Sequence, residues 1–111
     1  MTALDQARER QQAKRERDAP GSIVFKGKTY KGGGLFLGAL KDEPHPDTGN
    51  WKPAQRMTIF VRKSLLPTPP KKRESFTCQG ITFGGDGVAG QSPTSIAWII
   101  KGIRWPAAPS A

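Results

Sequence analysis

Asp42, Glu43, His45 and Asp47 crowd into one proline-rich stretch, and their side chains include hard and borderline metal ligands. A lone histidine without a second ligand cluster is poor equipment for that work. A solvated acidic patch balancing basic neighbours accounts for the same residues. Cys78 is the single cysteine and His45 the single histidine. A cysteine nucleophile needs a nearby base, and Cys78 falls inside an apparent strand, which points to a half-buried structural thiol. Gly32-Gly33-Gly34 and Gly84-Gly85-Asp86-Gly87 resemble phosphate cradles in composition only. Neither opens a helix or ends in Gly-Lys-Ser/Thr, so both read as loops. The carboxylates are few, and no pair sits in an apolar setting that would raise one pKa. The expectation is no catalytic residue, no metal site and no cofactor.

Binding chemistry is better represented. The chain has 111 residues and a formal net charge of +9. This suits an acidic partner, either nucleic acid or an acidic protein surface. Residues 20–111 carry most of that excess. It includes Lys41, Lys52, Arg56, Arg62 and the short run Lys71-Lys72-Arg73. Trp51 and Trp105 are the aromatics that strand positions do not claim for a core. Basic residues beside exposed aromatics on a small barrel are the equipment of single-strand nucleic-acid binding.

The supporting elements follow from periodicity. The length allows one small domain. Gly 13 and Pro 10 make it loop-rich. No apolar run approaches the ~18 residues of a membrane span. Met1 to Asp18 lacks the apolar centre of a secretory signal, and a reducing intracellular compartment is the default for one cysteine. Residues 1–20 form a polar helical arm, stopped at Ala19-Pro20-Gly21. With only Leu4, Ala7 and Ala13 as apolar residues, it has little to bury against its own domain. Two readings stay open: a frayed solvated tail, or an arm that folds onto a neighbouring subunit.

Residues 21–106 alternate as strands, and 107–111 form a short tail. Ser22–Phe25 and Lys28–Tyr30 flank Lys26-Gly27 as a hairpin; Ser75–Cys78 and Ile81–Phe83 flank Gln79-Gly80 likewise. Further strands are Leu35–Leu40, Arg56–Arg62 and Thr94–Trp105. Lys31–Gly34 reads as a flexible break, and Gly84–Pro93 as a Gly-rich loop. Two long Pro-rich connections span Lys41–Gln55 and Lys63–Glu74. The fold class is all-β, a small antiparallel sandwich or barrel with an N-terminal polar α-helix and long Pro/Gly-rich loops. The expected core is Val24, Phe25, Tyr30, Leu35, Leu37, Met57, Ile59, Val61, Phe76, Ile81, Phe83, Ile96, Trp98, Ile100 and Ile103.

Loops of this length are uncommon unless they bind something or are disordered. Trp51 is a plausible anchor within the first, and the basic residues would meet an acidic rim. Three stretches then carry a resemblance. They are Thr58-Ile59-Phe60-Val61-Arg62, Phe76–Phe83 with its Gly/Asp loop, and Ser95-Ile96-Ala97-Trp98-Ile99-Ile100-Lys101-Gly102. In this pattern and in overall layout the chain resembles the small head–tail joining (tail-attachment) proteins of long-tailed, lambda-like phages. It departs from them in the spacer Pro67–Pro70, the triple glycine and the strong basic charge.

The resemblance implies a non-enzymatic virion protein, assembled in the host cytoplasm. It would form a homo-oligomeric ring of six or twelve copies between the portal-side neck and the tail. It also implies partner contacts through Leu4, Arg8 and Arg15 of the arm and Trp51 and Lys52 of the first loop. Lys71, Lys72 and Arg73 would face an acidic protein surface or packaged DNA. A small basic nucleic-acid-binding barrel is the alternative.

Overall fold

The alternation that begins at Ser22 closes on itself. The computed structural model describes residues 3–89 and 95–106. It holds one helix, α1 (Ala3–Asp18), and seven strands: β1 (Gly21–Phe25), β2 (Lys28–Leu37), β3 (Lys41–Pro44), β4 (Trp51–Arg62), β5 (Ser75–Cys78), β6 (Ile81–Ala89) and β7 (Ala97–Arg104). All pairings are antiparallel. The order β2-β1-β5-β6-β7-β4 is sealed by pairing of β2 with β4. The result is a closed six-stranded barrel with an N-terminal helix, so of sandwich and barrel the chain adopts the barrel. Closure removes the free sheet edges that would otherwise invite aggregation.

Both short hairpins form as the dipeptides demand. Lys26 and Gly27 have φ of 51° and 78°, and Gln79 and Gly80 have φ of 54° and 76°. Two successive positive φ values match the twist of the flanking strands, and glycine carries the second without strain.

Away from the bulges, residues alternate between inside and outside. Ile23 and Phe25 of β1 point inward, as do Met57, Ile59 and Val61 of β4. Together with Leu66, Phe76, Cys78, Phe83 and Ile100 they form the core. Tyr30, Leu35, Ile81 and Trp98 pack at its margin. Val24 and Leu37, expected inside, are instead 41% and 38% exposed. Val24 and Phe25 are neighbours on one strand, so only one can face the interior. Ile96 and Ile103 are half-buried rather than core residues.

The second Pro-rich connection contributes to the core as well. Leu66 is buried, and Trp98 Nε1 donates to its carbonyl at 2.7 Å. Cys78 has no exposed surface, and burial pushes its thiol pKa up. The native protein is therefore expected to resist a thiol-reactive dye under conditions that label the denatured chain fully. Rapid labelling of the native protein would contradict this placement.

Three stretches read as irregular are strand. Lys31–Gly34 is not a break but the middle of β2, which carries a bulge between Gly33 and Phe36. Gly84–Ala89 belongs to β6, which bulges between Gly85 and Val88. The remainder of that predicted loop, 90–93, lies outside the described residues, as do residue 94 of the next predicted strand and the tail 107–111. Lys41–Gln55 is largely a two-stranded ribbon: Lys41 pairs with Ala54, Asp42 with Pro53, Glu43 with Lys52 and Pro44 with Trp51. Periodicity missed it because Lys-Asp-Glu-Pro has little β-propensity. It forms because β4 simply continues past the last residue paired to β7, Gln55. Pro44 and Pro53 are tolerated there, since each has a ribbon edge without a further strand.

Candidate interaction surfaces

The first surface is the seat of α1. The helix has no apolar stripe, and its one fully buried side chain is Gln12. It lies on β2 and β4 nonetheless. Steric fit permits this. A Cβ on Gly33 would overlap the backbone of Arg15 and Glu16, so only glycine lets the helix approach so closely. Polar groups then fix it. Gln12 Nε2 donates to the carbonyl of Phe60 at 3.1 Å. Arg15 lies over the Phe60 ring at 3.9 Å. Arg62 of β4 donates to Glu16 at 2.8 to 3.1 Å and also pairs with Glu9. The arm is thus a helix docked on its own barrel, rather than a frayed solvated tail.

Hydrogen bonding from the Arg62 guanidinium holds the Glu16 carboxyl below its ordinary pKa of 4.5, against a smaller opposing effect of burial. A depressed folded-state pKa adds stability above the unfolded value and loses it as pH falls through the folded one. The expected result is that α1 keeps its amide protection at neutral pH. It should lose protection as pH falls through the depressed Glu16 pKa, before the barrel unfolds. Equal loss of protection in helix and barrel would contradict it.

The second surface is the ribbon. Trp51 is 70% exposed on β4, and Phe36 near the end of β2 and Leu40 just before β3 are 64% and 57% exposed. Lys52 is exposed opposite Glu43. The ribbon is tied down at its base. Arg56 binds Glu43 through both carboxylate oxygens at 2.6 to 3.0 Å and also pairs with Asp86 of β6. Gln55 Nε2 donates to the Gly38 carbonyl at 3.0 Å and its Oε1 accepts from Arg104 at 2.5 Å. These ion pairs are half exposed, so they set direction more than they stabilise.

The third surface is a cleft of about 730 Å³ where the ribbon tip curls towards the barrel wall. His45 rests against Trp105, ring centroids 4.7 Å apart. Asp47 meets Arg73 at 3.8 Å. Lys72, Ile103 and Gly84 complete the lining. Lys71–Glu74 is a turn pinned to the β6 bulge: Arg73 N donates to the Gly85 carbonyl at 2.9 Å, and Gly85 N to that of Glu74 at 2.8 Å.

The structure distributes the expected site residues over these surfaces. Leu4 is exposed and Arg8 half-buried on α1, where Arg8 sits 3.9 Å from Asp5. Arg15 is committed to Phe60. Trp51 and Lys52 lie on the ribbon. Lys72 and Arg73 join Trp105 in the cleft, and Lys71 is exposed beside them. The acidic loop cluster disperses: Glu43 serves Arg56, Asp47 faces Arg73, and His45 Nδ1 accepts from the Asp47 amide at 3.2 Å. Among the described residues no three His, Cys, Asp or Glu gather as metal ligands, and no helix is long and apolar enough to cross a membrane. Sequence reasoning missed the roles of Gln12, Arg62 and Gly33 at the helix seat, and of His45, Arg56 and Gly84 at the cleft. Only the triple glycine signalled the seat, and a glycine run reads equally as a break. No family model, curated protein or solved structure matches the chain.

Proposed function

We propose that the chain is a non-enzymatic structural protein of a tailed-phage virion. In this reading it is a connector that assembles as a ring of six or twelve copies and joins the portal-side neck to the tail. The observation that carries the reading is the ribbon. A closed barrel has no free edge to offer, yet this one extends a two-stranded arm bearing exposed Trp51, with Leu40 and Phe36 of the barrel strand β2 exposed at its base. Large apolar side chains held out on a tethered arm are interface anchors awaiting a pocket. Repetition around a ring multiplies one modest contact into a strong one. The sequence stretches that carry the resemblance lie largely on β4, the β5–β6 hairpin and β7, the strands that build the barrel.

Co-expression with the portal and tail-tube proteins of the same phage, followed by native mass spectrometry, tests the proposal. A mixed complex with six or twelve copies is expected, and Trp51→Ala should lower its yield roughly ten-fold. A chain that stays monomeric with every such partner would contradict it.

The alternative, a basic nucleic-acid-binding barrel, is favoured by the meeting of Lys72, Arg73 and Trp105 in one cleft. It requires affinity for bare DNA or RNA that falls steeply with salt. Filter binding at two salt concentrations, with and without Lys71, Lys72 and Arg73 changed to Ala, separates the two readings.

A further inference from the structure

The cleft beneath the ribbon tip has features that the ribbon's anchoring role does not use. One row of cross-strand partners forms its floor: Arg56 faces Ile103, Ile103 faces Gly84, and Gly84 faces Ser75. Gly84 leaves a gap in that row. A Cβ built there would meet only the Ile103 carbonyl, at 3.7 Å, and the backbone is not in the left-handed region. The gap is therefore not a steric requirement of the barrel, as Gly33 is for the helix. It is open space beside its cross-strand partner Ile103, which also lines the cleft.

The rim supplies charge. Arg56 is satisfied by Glu43 and Asp86. Arg73 reaches Asp47 only at 3.8 Å, with both side chains mostly exposed. Lys72 has no ion partner among the described residues and is exposed at the mouth. Ser75 and Thr82 add hydroxyls. The site thus combines weakly committed cations, hydroxyl donors and an aliphatic pocket within the volume usual for small-ligand and short-segment sites.

We infer that this cleft receives an extended acidic segment of a partner protein, with one carboxylate on Lys72 and Arg73 and a neighbouring aliphatic side chain over Gly84 against Ile103. The inference rests on the connector reading and names the chemistry of its partner. Three observations favour a peptide over a nucleic-acid strand. The Trp105 ring already has His45 against it, ring centroids 4.7 Å apart, which narrows the room for a stacked base. Asp47 and Asp86 line the cleft and would repel a continuous run of phosphates, whereas a peptide places its carboxylates selectively. The pocket at Gly84 fits an aliphatic side chain, which a nucleotide does not have.

Fluorescence anisotropy with the full chain tests this, using a short fluorescein-labelled peptide that alternates glutamate and leucine. A labelled oligothymidylate of equal length serves as the second probe. The peptide should bind, more weakly as salt rises. Gly84→Leu, which fills the pocket, should weaken it roughly ten-fold, as should Lys72→Ala with Arg73→Ala. The double variant alters only exposed side chains, so it remains informative should Gly84→Leu fail to fold. No peptide binding by the wild type, or binding that neither alteration weakens, overturns the inference. So does binding of oligothymidylate in preference to the peptide with loss in the same variants, which assigns the cleft to nucleic acid. These outcomes are read on the isolated chain, so they are distinct from a failure to form rings with portal and tail proteins.

Discussion

Gly33→Val is expected to unseat α1 while leaving the barrel folded. The added side chain must occupy space now filled by the backbone of Arg15 and Glu16, and backbone cannot rotate aside as a flexible side chain can. The helix must lift. Lifting it separates Gln12 from the Phe60 carbonyl and Glu16 from Arg62. Little apolar area resists the separation, because α1 buries no hydrophobic side chain completely. An isolated helix of 16 residues without that seat is marginal in water. Hydrogen exchange should therefore show amides across Ala3–Asp18 at the level of an unfolded peptide, with the core strands still protected. The loss in overall stability should be about 1–3 kcal/mol, the usual cost of overpacking a close contact. An unchanged exchange pattern would mean that the helix does not rest on this glycine.

Phe83→Ala carries the largest expected cost. Phe83 is 1% exposed and stacks on Phe76 with centroids 6.3 Å apart. It faces Phe76 across the β5–β6 hairpin. Truncating a buried phenylalanine costs about 3–5 kcal/mol, against a total of only about 5–15 kcal/mol for a small domain. The melting temperature should fall by more than about 12 °C. Val24→Ala supplies the contrast. Val24 is as apolar as its neighbours Ile23 and Phe25 but faces out, and its truncation should move stability by no more than about 0.5 kcal/mol. A shift of register by one residue exchanges the two faces of a strand. Similar losses for Phe83→Ala and Val24→Ala would therefore reject the register described here.

The parts of the fold legible in the sequence were those set by local rules. Lys26-Gly27 and Gln79-Gly80 announced their hairpins through turn chemistry. Met57, Ile59 and Val61 announced the inner face of β4 through alternation. Val24 and Leu37 were misplaced because an apolar side chain beside a strand's inward set looks the same in sequence as a member of it. The ribbon was illegible for a different reason. Lys41–Pro44 has almost nothing in it that favours a strand, and its pairing comes from β4 running past the barrel wall. The helix seat was hidden because its fit uses a missing side chain, Gly33, and polar partners far apart in sequence, Gln12 with Phe60 and Glu16 with Arg62.

Of the candidate surfaces, charge and exposure identified Trp51, Lys72 and Arg73 individually. The grouping of Lys72 and Arg73 with Trp105 was not readable, since they line one cleft only where the ribbon curls. Asp42, Glu43, His45 and Asp47 lie within six residues of one another yet take different partners, because β3 ends at Pro44: Glu43 reaches back to Arg56 at the ribbon base, while His45 and Asp47 sit in the tip against Trp105 and Arg73.

Hydrogen exchange on the ribbon, measured in the free chain and again in an assembled ring with portal and tail proteins, tests the central claim most directly. Slower exchange at Lys41–Ala54 in the ring, with barrel strands unchanged, is the predicted result. A ring in which those amides exchange as freely as in the isolated chain would place the adhesive surface elsewhere and contradict the account.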